Sequence, residues 1–152
     1  MPPAPAPTIR PAAPAEEAAV RALLAASGLP SADVSFGAQE FLVALQGARL
    51  VGCVGLAPSG ADGFLRSLAV AAELRGQGLG DALHRRALEL ARRRGVQTLY
   101  LLTATAEAFF ASRGYARVAR EDVPAAVRAS LQFAGLCPSS AACLRRSLGP
   151  EP

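Results

Sequence analysis

Apolar residues recur along this chain with two different periods, and the switches between them mark out helices and strands. Val20, Leu23 and Leu24 fall three and four positions apart behind Glu16 and Glu17, which stand where a helix dipole favours anions. A helix is therefore predicted from about Pro14, stopped by Gly28 and Pro30, after a short edge strand at Thr8-Ile9-Arg10 closed by Pro11. Residues 31–38 read as a loop or a short second helix. Phe41 to Leu45 and Leu50 to Leu56 are apolar runs of strand length around the turn Gln46-Gly47-Ala48-Arg49. Pro58 to Gly63 reads as a loop, and Phe64 to Val70 as a third strand of this series.

Beyond it the period returns to that of a helix. Leu79, Leu83, Ala87 and Leu90 share one face of a helix reaching about Arg94, with Arg92, Arg93 and Arg94 at its negative end. Gln97 to Thr103 predicts a buried strand, Thr105 to Arg113 a short helix, and Gly114-Tyr115 a turn. Pro124 to Ser130 predicts another helix and Ala142 to Leu148 a terminal strand. Hairpins occur beside strand–helix alternation, so the class is α/β with a mixed sheet.

Composition narrows the chemistry. The 152 residues suit one domain, and an apolar share of 51% supports a real core. All 16 cationic side chains are arginine. Without lysine, neither a Walker phosphate loop nor a lysine base or Schiff-base nucleophile is available. A net charge of +4 and a pI near 9.6 allow an anionic partner. The arginines are scattered and only 5% of residues are aromatic, which argues against nucleic acid. Three cysteines, Cys53, Cys137 and Cys143, have no paired spacing, so a reducing compartment and a cytoplasmic location are expected, with the thiols buried. His84 matches no zinc spacing and is expected at the surface, and no metal site is expected. No apolar run is long enough to span a membrane, and Met1 to Pro7 reads as a flexible proline–alanine segment without a secretory signal.

The chemistry concentrates in Arg75-Gly76-Gln77-Gly78-Leu79-Gly80, at a strand-to-helix junction. Glycines there let backbone N–H groups approach an anion at the positive end of a helix. A dinucleotide fingerprint would need its third glycine at position 81, which is Asp81. The acyl-coenzyme A pyrophosphate pattern, Arg/Gln-x-x-Gly-x-Gly/Ala, is met by Arg75, Gly78 and Gly80.

Leu65 to Gly80 resembles the central strand and coenzyme loop of the GNAT acyltransferase superfamily. Thr8 to Ala12 is similar to its first strand, and Phe109-Phe110-Ala111-Ser112-Arg113-Gly114-Tyr115 to its last coenzyme-side helix. The resemblance covers residues 8–148 as one domain. Leu102 to Phe110, the stretch Val123-Pro124 through Gln132-Phe133, and Leu136-Cys137-Pro138-Ser139-Ser140-Ala141 resemble the N-acetyltransferases of bacterial arsenic-resistance operons. They are similar also, but less closely, to the acetyltransferase domain of acetylglutamate synthases. The Gln-Phe and Cys-Pro-x-Ser-Ala elements are shared with the arsenic-associated enzymes, so the resemblance implies an arsenical amino-acid analogue or related metabolite as acceptor in preference to glutamate.

The resemblance implies a mixed, mostly antiparallel twisted sheet split at a bulge and flanked by helices. It implies acetyl-CoA as cosubstrate, direct transfer to a small-molecule amine, and a homodimer at the level of the superfamily. Leu68, Ala69 and Val70 would pair with pantetheine, and Arg75, Gly76, Gln77, Gly78, Leu79, Gly80 and Asp81 would hold the pyrophosphate. Thr105, Phe109 and Phe110 would complete the coenzyme side. The superfamily's usual glutamate base falls near Phe64, and its usual tyrosine acid falls at Phe110. Water held by Ser67, or the carboxylate of Glu107, stands in as base, with Glu40 and Asp62 as further candidates. Glu107 otherwise serves as a partner of its own helix dipole. Arg66, Arg128 and Ser140 are the candidates for an anionic group on the acceptor, Arg66 being either that clamp or a solvated outward residue. A module that binds CoA or arsenic without catalysis is the alternative.

Overall fold

The computed structural model describes residues 5–129 and 141–149. Glu40–Gln46 (β2) buries four successive residues, Phe41 to Ala44, which requires cover on both faces. It pairs antiparallel with Thr8–Pro11 (β1) on one side and Arg49–Ser59 (β3) on the other. Asp62–Val70 (β4) follows, then Thr98–Thr103 (β5), Ala116–Arg117 (β6) and Ala142–Ser147 (β7). Among the described residues the strand order is β1-β2-β3-β4-β5-β7-β6, with β4–β5 parallel and β1–β2, β2–β3, β5–β7 and β6–β7 antiparallel. The mixed, mostly antiparallel sheet is thus present. The helices are Glu17–Ala26 (α1), Leu79–Arg93 (α2), Glu107–Ala111 (α3) and Ala125–Arg128 (α4). None of the described helices is long and apolar enough to cross a membrane.

The expected loop at 58–63 is instead a turn of two residues, with β3 running to Ser59 and β4 starting at Asp62. Gly60, at φ 62°, supplies the left-handed conformation that such a tight turn requires. The third short helix is also tighter than expected, and Ser130 lies outside the described residues, as do Gln132, Phe133 and Leu136 to Ser140.

Contacts sort the chain into two compact units. The first comprises Met1–Leu56 with Ser67–Glu89, and the second Ala57–Arg66 with Leu90–Pro152. Each has a core. In the first, Val20 and Leu24 of α1 pack with Val34, Phe41, Val43, Cys53 and Ala69. The N-terminus of α1 is tied down by Glu16, which accepts from the Ala13 N–H at 2.7 Å and from both terminal nitrogens of Arg10. Arg21, paired with Glu17 at 2.9 Å, donates to the carbonyls of Ser31 and Val34 and so staples the loop that follows. In the second unit, Phe64, Tyr100, Val123, Val127 and Cys143 form the core.

His84 is a correction. It is 1% exposed on α2, because Leu83, His84, Ala87, Leu88, Leu90 and Ala91 are all buried and make a stripe wider than the one read from the sequence.

Gly52 is tightly packed. A Cβ there would lie 2.9 Å from Leu83 Cδ1 and 3.3 Å from both Ala44 Cβ and the Ala69 carbonyl. Gly52→Val should therefore overpack the first unit at a cost of ~1–3 kcal/mol. At roughly 2–4 °C per kcal/mol for a chain of this size, the midpoint of a thermal melt should fall by several degrees. An unchanged midpoint would show that Leu83 yields freely.

Candidate active site

The first unit presents the end of β4 and the loop that follows. Ser67 has φ 61°, and among the described residues it alone combines a side chain with positive φ. Such a conformation needs enforcement by its surroundings. Counted from the turn at Gly60-Ala61, Val51 would stand opposite Val70, yet its carbonyl accepts from the Ala71 N–H at 2.8 Å. β4 thus holds one residue more than β3 over this stretch, a bulge, with Ser67 as its left-handed residue. The Ser67 carbonyl accepts from Cys53 Sγ at 3.2 Å, and Cys53 is fully buried. Ala69 is buried, and Leu68 and Val70 are half-buried.

After Ala71 the chain makes a single tight turn, Ala72–Leu74, and reaches the glycines. Three contacts order the loop. Arg75 Nε donates to the Val70 carbonyl at 3.1 Å, Gln77 Nε2 to the Glu73 carbonyl at 3.3 Å, and Arg49 pairs with the Glu73 carboxylate. Gly76 and Gly78 have φ of 80° and 88°, and a Cβ on either would meet nothing within 4 Å. Their glycine character therefore answers to backbone conformation and not to crowding within the chain. The Gly78 carbonyl accepts from the Ala82 N–H at 3.0 Å, making Gly78 the residue that caps α2. The N–H groups of Leu79, Gly80 and Asp81 thus form a helix first turn without an intrahelical acceptor. Asp81 is drawn along the helix by Arg85, at 3.1 Å. Chemically this is an exposed backbone cradle for an anion at the positive end of a 15-residue helix.

In the second unit β4 and β5 pair over only Asp62–Phe64 with Thr98–Tyr100, although both strands continue. Arg66 is 4% exposed and engaged within the structure, so it is not a solvated outward arginine. Thr103 Oγ1 accepts from the Ala106 N–H at 2.9 Å and leads into α3, while Thr105 is exposed. Phe110 is buried, with its ring edge-on to Phe109 at 5.0 Å and to Tyr115 at 5.4 Å. The Arg113 guanidinium lies 3.6 Å over the Phe109 ring. Burial pushes the Tyr115 phenol well above its usual range, so this hydroxyl holds its proton. Arg128 is exposed at the end of α4, and Ser140 lies outside the described residues.

Glu107 is committed to another partner. Arg117 Nε and a terminal nitrogen donate to its two oxygens at 2.6 and 2.7 Å, and these hydrogen bonds hold its carboxyl below the ordinary carboxylate range. A base needs the opposite shift. The pair lies ten positions apart and forms only because β6 brings Arg117 back beside α3, a contact with no local sequence signal. The Cys53–Ser67 bond escaped sequence reasoning for the same reason. Among the described residues no group of three or more His, Cys, Asp or Glu side chains could hold a metal ion. Cys53 and Cys143 are buried and in no disulfide, and Cys137 lies outside the described residues.

A family model described as the acetyltransferase (GNAT) family matches residues 12–117. The chain belongs to that family. Over 95 residues it is 38% identical to an amino-acid acetyltransferase of Pseudomonas putida strain GB-1; the match takes in 61% of this chain and 22% of that relative's length. Its fold is similar to N-acetylglutamate synthase from Neisseria gonorrhoeae, solved with coenzyme A and N-acetyl-glutamate, with a TM-score of 0.81 and 23% identity. That comparison covers 96% of this chain and 36% of the other. A Mycobacterium tuberculosis protein solved in complex with CoA has a TM-score of 0.72 and 22% identity, over 92% of this GNAT chain and 98% of its own.

The Glu107–Arg117 pair generates a prediction. With the folded-state value lowered, the pair favours the folded chain at neutral pH, and this contribution is lost as pH falls through the folded-state value. In a carboxyl NMR titration Glu107 should protonate below the usual ~4.3, and in Arg117→Ala it should move up to that value. An identical titration in both proteins would contradict the pair.

Proposed function

We propose that this chain is an acetyl-CoA-dependent N-acetyltransferase acting on the amine of a small, anionic, amino-acid-like molecule. The observation that supports it best is the sequence of bulge, tight turn and exposed glycine loop from Ser67 to Asp81. It offers β4 backbone to an extended pantetheine chain and helix-terminal amides to a pyrophosphate. Leu68, Ala69 and Val70 take the first part, and Arg75 through Asp81 the second. With no lysine in the chain, phosphate binding rests on backbone amides, with Arg75 beside them.

The acceptor class rests on two supports. The Pseudomonas putida relative is named for amino-acid acetylation. The excess of positive charge also lies wholly in the second unit, where ten arginines face five carboxylates; the first holds six against seven, and the two together account for the net +4. Such a bias draws anions. Arg66 and Arg128 belong to that unit and are the proposed acceptor-side cations, Ser140 being the third candidate.

Chemically, an alkyl ammonium must lose a proton before its nitrogen attacks the thioester carbonyl. Ser67 is the proposed anchor for the water that accepts it. Glu107 is assigned instead to the Arg117 pair. Phe110 cannot donate a proton, and a thiolate of pKa ~8.5 can leave without one.

Release of free CoA should follow addition of the chain to acetyl-CoA and one member of an acceptor panel: acidic, neutral and basic amino acids together with an amino arsenical. An acidic amino acid should be preferred; preference for the arsenical would assign the arsenic-linked branch. CoA binding without turnover on any acceptor would favour a sensor. Gly78→Glu tests the loop separately. Its φ of 88° adds strain of about 1–3 kcal/mol, and its carboxylate would occupy the cradle. The variant should keep the wild-type circular dichroism and lose CoA binding. Unchanged affinity would remove the loop assignment.

A further inference from the structure

We propose that Cys53 is a positioning residue for acetyl transfer, acting through the peptide that joins Ser67 to Leu68. This rests on the transferase reading above.

Cys53 lies mid-way along β3, is 0% exposed, and belongs to the core with Val43 and Ala69. Its Sγ donates at 3.2 Å to the carbonyl of Ser67, the residue held at φ 61°. A peptide unit is planar and trans, so its C=O and N–H point in opposite directions. Holding the Ser67 carbonyl towards Cys53 therefore points the Leu68 N–H away from it. That N–H belongs to the stretch of β4 proposed to pair with pantetheine, whose end carries the acyl thioester. A donor fixed before reaction and aimed at the oxygen that gains charge lowers the barrier without reorganisation.

A thiol is a weak donor, so its value here lies in direction. A left-handed residue with a side chain persists only where several contacts agree on it. The bulge supplies one extra residue, the Ala71 N–H to Val51 carbonyl bond closes the register beyond it, and Cys53 fixes the turned peptide between. An apolar residue of similar size would fill the same space without making this bond to the Ser67 carbonyl.

The test uses the full chain, acetyl-CoA and the best acceptor from the panel. Cys53→Val removes the donor while keeping an apolar side chain of similar volume, and Cys53→Ser keeps a hydroxyl donor. Loss of an oxyanion donor costs about 10²–10³ in kcat, and a misdirected one costs less. Cys53→Val is therefore expected to lower kcat by about tenfold with the KM for acetyl-CoA within about twofold, and Cys53→Ser to recover kcat to within about threefold. In the ligand-free protein the Leu68 amide resonance should move in Cys53→Val and return in Cys53→Ser. Should the valine variant not reach the wild-type circular dichroism, Cys53→Ala takes its place with the same expectations.

A wild-type kcat in Cys53→Val, or an equal loss in both folded variants, would overturn the positioning role while leaving the transferase reading intact. A wild-type chain that turns over no acceptor would overturn the transferase reading, and the positioning role with it.

Discussion

The structure depends most on one turned peptide. Ser67 sits at φ 61° in the middle of a strand, where extended backbone is the rule, and everything downstream is displaced by the extra residue it accommodates. The division between the two units falls at this same point, between Arg66 and Ser67. Upstream, β4 has a parallel partner over Asp62–Phe64, and downstream its end is pinned to β3 through Ala71. A regular strand would keep strict alternation through Val70. The bulge breaks it, and five residues after Val70 the glycine loop begins.

The loop itself is ordered from below. Arg75, Gln77 and Arg49 each make a contact that fixes the chain's path, two of them to backbone carbonyls. Gly76 and Gly78 then reverse the backbone twice without crowding any neighbour. Loop ordering that precedes binding removes an entropic cost that a flexible segment would meet when it closes on a ligand. The same logic applies at α3, where Thr103 fixes the Ala106 N–H and the Glu107–Arg117 pair holds the helix to β6.

Much of this was legible in residues alone, because the signals were local. Leu79, Leu83 and Ala87 declared their helix by spacing, and Gly76, Gly78 and Gly80 declared the loop by type and position. Phe41 to Leu45 declared a strand by its unbroken apolar run. What stayed hidden depended on pairing across the chain. Pro58 and Ser59 look like loop residues, but the tight turn beyond them lets β3 continue to Ser59. His84 looks like a surface residue beside Arg85 and Arg86, but the width of the buried stripe on α2 takes its ring inside. Arg66 left two readings open until burial excluded one of them. Glu107 appeared available as a base until β6, a strand of two residues, returned Arg117 to its side.

The central claim is that backbone amides of one continuous stretch, from Leu68 to Asp81, receive the coenzyme. The most direct measurement is a map of backbone amide resonances as CoA is added to the intact chain. The account predicts that the largest shifts fall on Leu68–Val70 and Gly76–Asp81, with the amides of α1 and β1 unmoved. Shifts confined to other segments, or none at saturating CoA, would contradict it.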